Sequence, residues 1–163
     1  MSTPVGTVVL VVGLVLTGLM AGLYFGFTTA VMPGLARVGD RAYVISMQRI
    51  NASILNPWFL TTFLGALVVP VAAAVLHLHD DARTRLPWII AGAALYGATV
   101  VSTGADHVPL NNRLMAVEDV CDQAAPEIRH AFQHRWTRFN KARTVVSLAA
   151  VVALAIALAR PVV

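Results

Sequence analysis

From Val5 to Val31 the chain carries no charged residue. As a helix rising about 1.5 Å per residue, that run crosses the ~30 Å hydrocarbon core of a bilayer. Three more apolar runs follow, and together they place spans at about 5–31, 58–76, 87–104 and 142–159. The whole 163-residue chain agrees, with 58% hydrophobic and 12% charged residues and a mean hydropathy of +0.73. That is a membrane composition. The expected fold class is an all-α membrane protein, a single four-transmembrane-helix bundle over residues 1–163. No Lys or Arg precedes Arg37, so the first run lacks a basic leader and reads as a retained membrane helix. The lone Cys121 excludes an intrachain disulfide and a cysteine metal cluster. The net charge of +4 comes from scattered residues, which speaks against a nucleic-acid partner.

The connecting segments are patterned. Gly18, Gly22 and Gly26 recur every four residues and leave a smooth groove on the first helix. Another helix of the same bundle can pack there, or a second copy can, giving a homo-oligomer. Tyr24, Phe25 and Phe27 read as an interfacial aromatic belt, and Pro33-Gly34 as a helix break. Asp40 is an N-cap for an amphipathic helix over 41–55 in the first loop. Its apolar face holds Tyr43, Val44, Met47, Ile50, Ile54 and Leu55, with Asn51 inside that face. Such a helix lies at the membrane interface with Asn51 bonded to backbone, or it turns Asn51 into a polar pocket. His77, His79, Asp80 and Asp81 form a short turn, or else a weak metal site. Pro87 opens the third span, whose Gly92, Ala93, Ala94, Gly97 and Ala98 suit close packing. Pro109 predicts a kink, and Met115–Ala125 a loop or a frayed helix. Pro126 then opens a long C-terminal helix that runs to Leu158.

That last helix carries the most informative stretch. Trp136, Asn140 and Arg143 fall at i, i+4 and i+7, on one face with Phe132 and Phe139. A guanidinium in an aromatic stripe that faces the protein interior must meet a partner. Asp106, Asn51 and Asn111 are the expected ones. Four spans put residues 32–56 and 105–143 at one end of the bundle. Asn51, Asn56, His107, Asn111, Asn112, Trp136, Asn140 and Arg143 therefore share that end, as a polar pocket under an aromatic lid or as a purely structural network. Glu127, His130 and His134 form half of a di-iron signature, but they lie opposite the aromatic stripe, on a face that reads as solvated.

A resemblance appears at these residues. Ala21-Gly22-Leu23-Tyr24-Phe25-Gly26-Phe27 is followed by Val31-Met32-Pro33-Gly34-Leu35, then by Met47-Gln48 and Ile50-Asn51. Ile54-Leu55-Asn56-Pro57-Trp58-Phe59 and Val108-Pro109-Leu110-Asn111-Asn112 come next, and Trp136, Asn140 and Arg143-Thr144 complete the order. The set resembles the anthrone oxygenase-like family of small membrane proteins over nearly the whole chain. The resemblance implies four membrane helices, an apolar aromatic substrate and oxidation of an anthrone to an anthraquinone by O₂, with no metal or flavin cofactor. That chemistry needs a base, a partner for the oxyanion and an apolar slot. In this chain His107 is the candidate base and Arg143 the candidate oxyanion partner, with Asn51, Asn56, Asn111, Asn112, Trp136 and Asn140 around the substrate. The family usually places Asn directly before Val-Pro-Leu-Asn. Here His107 stands at that position, preceded by Asp106, and a histidine has an ordinary pKa near ~6.5.

Two other classes stay open from the residues alone. One is an accessory subunit that packs through its glycine face. The other is a module that binds lipid or quinone, or that carries haem between histidines. Arg37, Arg41, Arg49, Arg113, Arg129, Arg135, Arg138, Lys141 and Arg143 lie at the pocket end, against Arg83, Arg85 and Arg160 at the other. The excess places both termini outside the cytoplasm of a bacterial-type plasma membrane.

Overall fold

The computed structural model describes residues 4–78 and 84–161. Among these the chain forms helices and no strand. The order is α1 (Pro4–Gly26), a π-helical turn (Phe27–Val31), α2 (Met32–Leu35), α3 (Asp40–Ile54), α4 (Pro57–Leu76), α5 (Leu86–Ser102), a second π-helical turn (Thr103–His107), α6 (Val108–Met115) and α7 (Ala125–Ala159). Continuous helix through the π turns gives four segments long and apolar enough to cross a membrane: Pro4–Leu35, Pro57–Leu76, Leu86–Met115 and Ala125–Ala159. These fit an integral membrane protein.

α1 packs on α4 and α7, and α5 packs on the same two helices, so the four spans close into a ring. The bundle interior has two layers. Leu10, Ala73, Ile89, Leu154 and Ala157 form one, and Met20, Tyr24, Ala66, Tyr96 and Ala150 the other. Pro70 lies inside α4 and has no N–H to give the Ala66 carbonyl. The Thr17 hydroxyl, bonded to Gly13 O at 2.8 Å, also reaches Ala66 O at 3.4 Å from α1. The Pro70 ring fits because Gly13 has no side chain; a Cβ there would stand 3.0 Å from Pro70 Cγ.

Both prolines expected to interrupt helices follow a π turn. Met32 N–H bonds Phe27 O, and Val108 N–H bonds Thr103 O. Pro33 and Pro109 come next, each within the first turn of the resumed helix, where a missing N–H does no harm. The expected break at Pro33-Gly34 is therefore displaced to the turn after Leu35. The polar segment that begins at residue 105 is likewise not a loop, because α5 continues through the π turn into α6.

α3 buries the face its pattern announces. Tyr43, Val44 and Met47 join Leu110, Leu114, Phe132 and Trp136 in a third core, each large side chain contributing roughly 1.5–3 kcal/mol. α3 packs on α6 and α7 at the bundle end, and the expected bond from Asn51 Nδ2 to backbone is not formed. Leu55 is left out of that core and is 70% exposed. Asp40 does not act as a side-chain N-cap. Its carboxylate accepts from Arg129 Nη1 at 2.8 Å, and Arg129 also donates to Val38 O and Ala36 O, each at 2.9 Å. The guanidinium covers the Tyr43 ring at 4.7 Å. Gln48 Nε2 donates to Leu114 O and Val117 O, closing the carbonyl end of α6.

The glycine face of α1 does not serve the bundle. A Cβ at Gly18, Gly22 or Gly26 would meet nothing within 4 Å. Close packing is achieved elsewhere, at Gly92, where a Cβ would stand 2.7 Å from Leu154 Cγ and Cδ2 and 3.3 Å from Ala150 O. Gly92→Val should therefore lower the melting temperature in detergent, with a cost of about 1–3 kcal/mol. Gly22→Leu should leave the monomer's melting temperature unchanged. Equal melting of wild type and Gly92→Val would contradict this placement of the helix seam.

Candidate active site at the capped end of the bundle

α7 delivers Trp136, Asn140 and Arg143 to the interior, all three buried. The Thr103–His107 π turn delivers Thr103 and His107, and α3 delivers Asn51. With Tyr24, Phe27, Ile50, Ile54, Phe59 and Asn111 they line a partly open cavity of about 110 Å³, at whose edge Leu55 and Val108 are exposed. His107, Asn51, Asn111, Trp136, Asn140 and Arg143 thus come together. Asn56 and Asn112 do not. Asn56 caps α4, accepting from Phe59 N–H at 3.0 Å and donating to Ser53 O at 2.9 Å. Asn112 lies exposed on α6.

Arg143 is only 7% exposed. Its Nη1 donates to Thr103 Oγ1 at 3.2 Å and its Nη2 to Asn140 Oδ1 at 2.9 Å. Its Cζ lies 4.4 Å from the centre of the Tyr24 ring and 5.9 Å from that of Trp136. All of these partners are neutral. The expected pairing with Asp106 is not formed: that carboxylate accepts from Ser102 Oγ at 2.9 Å. Asn51 and Asn111 are not hydrogen-bonded to Arg143 either. Among the described residues no carboxylate stands within ion-pair distance of the guanidinium. Burying such a charge costs several kcal/mol, which neutral hydrogen bonds and ring faces offset only in part.

Asn140 is the post on which the arginine is held. Its Nδ2 donates to Tyr24 O at 3.0 Å and to Thr28 Oγ1 at 2.9 Å, which leaves Oδ1 free to accept from Arg143. Trp136 Nε1 donates to Asn111 Oδ1 at 3.1 Å. The indole meets Phe27 at 5.5 Å and Phe132 at 6.2 Å between centroids. His107 stands edge-on between Trp136 at 5.4 Å and Phe139 at 6.1 Å. It makes no hydrogen bond of good geometry, although the Ser102 backbone is near enough to act on the ring.

Among the described residues, seven buried side-chain nitrogens and oxygens lack a hydrogen-bond partner. Five of them belong to residues that surround this one cavity: Asn51 Nδ2, both nitrogens of His107, Arg143 Nε and Tyr24 OH, which also lies near Tyr96 and Thr103. Buried polar atoms are almost always satisfied, so their convergence on one space marks a place built for a polar guest. The same cavity has apolar and aromatic walls. A flat molecule with one polar edge matches that division.

Tyr24 and Thr103 are site residues that the pattern did not reveal. Tyr24 reads as part of an interfacial belt, yet it is buried, and Phe27 is partly buried against Trp136; of the three aromatic residues only Phe25 is exposed. The signal was available in the continuation of the buried positions Gly13, Thr17, Met20 and Ala21 to Tyr24. Of the metal candidates, Glu127, His130 and His134 lie on the exposed or half-open face of α7. His77 is buried, with Nδ1 2.7 Å from Ala73 O, while His79, Asp80 and Asp81 lie outside the described residues. Among the described residues no group of three metal-ligating side chains assembles.

The fold is a four-helix bundle that fits an integral membrane protein, with a candidate site around the buried Arg143 at one end. The family model described as anthrone oxygenase matches residues 58–153, more than half of the chain, and the protein belongs to that family. The match takes in Thr103, His107, Asn111, Trp136, Asn140 and Arg143. No curated protein and no solved structure compared with the chain matches it.

Proposed function

We propose that the protein oxidises a phenolic ketone of the anthrone type, or a similar quinol, with dioxygen in the cavity floored by Arg143. The observation that carries this reading is the gathering of residues with unpartnered polar atoms around a buried cation that has, among the described residues, no carboxylate within ion-pair distance. An enolate oxygen supplies the missing negative charge. Family membership supports the reaction class.

The chemistry divides among the residues. His107 takes a proton from the ring methylene, leaving an enolate whose oxygen faces Arg143, with Asn51 and Tyr24 OH as further donors. The electron-rich carbon adds to O₂ and becomes a hydroperoxide after protonation. Loss of the remaining C–H proton and cleavage of the O–O bond then give the new carbonyl, and the departing hydroxide leaves as water. The methylene carbon is oxidised by four electrons and O₂ is reduced by four, so substrate, dioxygen and water close the balance. Trp136, Phe27 and Phe59 provide apolar walls that keep bulk water from the enolate. Nine basic residues at this end also support a cytoplasmic site, with both termini across the membrane.

The first step can be observed alone. Without oxygen, in D₂O, purified protein should accelerate exchange of the anthrone methylene protons, read by NMR. Exchange no faster than in protein-free detergent would remove His107 from the role of base.

A further inference from the structure

An inner volume of about 110 Å³ is small for the substrate class just proposed. A cavity of about 150 Å³ accepts benzene, so three fused rings do not fit inside the walls as they stand. A second, open groove of about 360 Å³ lies against the first, lined by Phe27, Arg49, Ile50, Ser53 and Ile54. Phe27, Ile50 and Ile54 belong to both linings, so a single layer of side chains separates the two spaces. Ile50 and Ile54 are one helical turn apart on α3, and neither they nor Phe27 is fully buried. On the outer side stands Arg49, exposed and without a hydrogen bond or ion pair among the described residues.

We propose that this groove is a second binding subsite, which holds the far end of a fused-ring substrate and favours an acidic substituent there. The proposal rests on the reading that the reacting end lies in the inner cavity. A rigid planar molecule with its carbonyl edge at Arg143 extends beyond the inner space, which holds about one ring, and the groove across the Phe27–Ile50–Ile54 layer adjoins that space. What emerges meets an apolar groove with one free guanidinium and one hydroxyl, Ser53. A carboxylate or a second phenolate at the far end matches that pair. Arg49 thereby selects among polycycles, while Ile50 and Ile54 limit their width.

Binding tests this without turnover. Anthraquinone and anthraquinone-2-carboxylate are titrated calorimetrically into protein in an uncharged detergent, beside phenol as a one-ring probe. The carboxylate should bind the wild type roughly fivefold more tightly than the parent, as expected for a partly solvated ion pair, and added salt should shrink the difference. Arg49→Gln should abolish the difference and leave parent affinity unchanged. Ile54→Trp, which thickens the dividing layer, should weaken both tricyclic probes at least tenfold, and by a larger factor than it weakens phenol. Equal affinity for parent and carboxylate, or a preference that survives Arg49→Gln, would overturn the outer subsite and leave the inner site standing. If folded wild-type protein binds neither tricyclic compound, the outer subsite falls together with the proposed function.

Discussion

Replacing Arg143 by Met should slow anthrone oxidation by about two to three orders of magnitude and leave the bundle folded. The rate effect follows from removing the cation that meets an oxyanion in a cavity with largely apolar walls, where one such donor contributes about 10²–10³. The folding effect follows from its partners. Thr103 and Asn140 are neutral, no carboxylate among the described residues is within ion-pair distance, and Asp106 keeps its hydrogen bond from Ser102. Methionine keeps much of the packing against Tyr24 and Trp136 and relieves the cost of a buried charge. The loss of two hydrogen bonds opposes that gain by about 1 kcal/mol each. Melting temperatures within a few degrees, measured beside the rates, separate this outcome from a staple that holds the fold. Activity that falls only in proportion to folded protein would assign Arg143 to structure.

His107→Asn should lower the rate by about 10²-fold, the usual contribution of a positioned base. Asparagine is polar and fits the site, but it cannot accept a proton at neutral pH. His107 makes ring contacts with Trp136 and Phe139 and no well-formed hydrogen bond, so the substitution breaks no network on which the fold depends. The deficit should appear in anaerobic methylene exchange as much as in oxygen uptake, because both need the same proton transfer. Buffer bases such as imidazole should restore part of it. Full exchange in His107→Asn would leave the base to another group in the cavity.

Much of this site was legible in the sequence, for a physical reason. Trp136, Asn140 and Arg143 lie on an unbroken 35-residue helix, where a regular period assigns faces reliably. The buried face of α3 was equally clear, and so was the gathering of Asn51, His107 and Asn111 at one end by span counting. Register was lost at the π turns. An inserted residue rotates everything after it by about 100° relative to a regular helix. Asp106 consequently bonds Ser102, while Thr103 and His107 line the cavity. The glycines failed differently. Gly22 and Gly92 look alike as letters, and only the opposing Leu154 shows which one a neighbour needs. Asn56 carried its own signal, since Asn directly before a helix-opening Pro is a common N-cap.

The most direct measurement is oxygen uptake by purified wild-type protein supplied with anthrone, followed together with anthraquinone formation. Expected is protein-dependent consumption of one O₂ per anthraquinone formed, with no accumulating peroxide, and loss of that consumption in Arg143→Met. Well-folded protein that consumes no oxygen above the detergent blank, with anthrone or any related hydroquinone, would contradict the assignment of this cavity to oxidation.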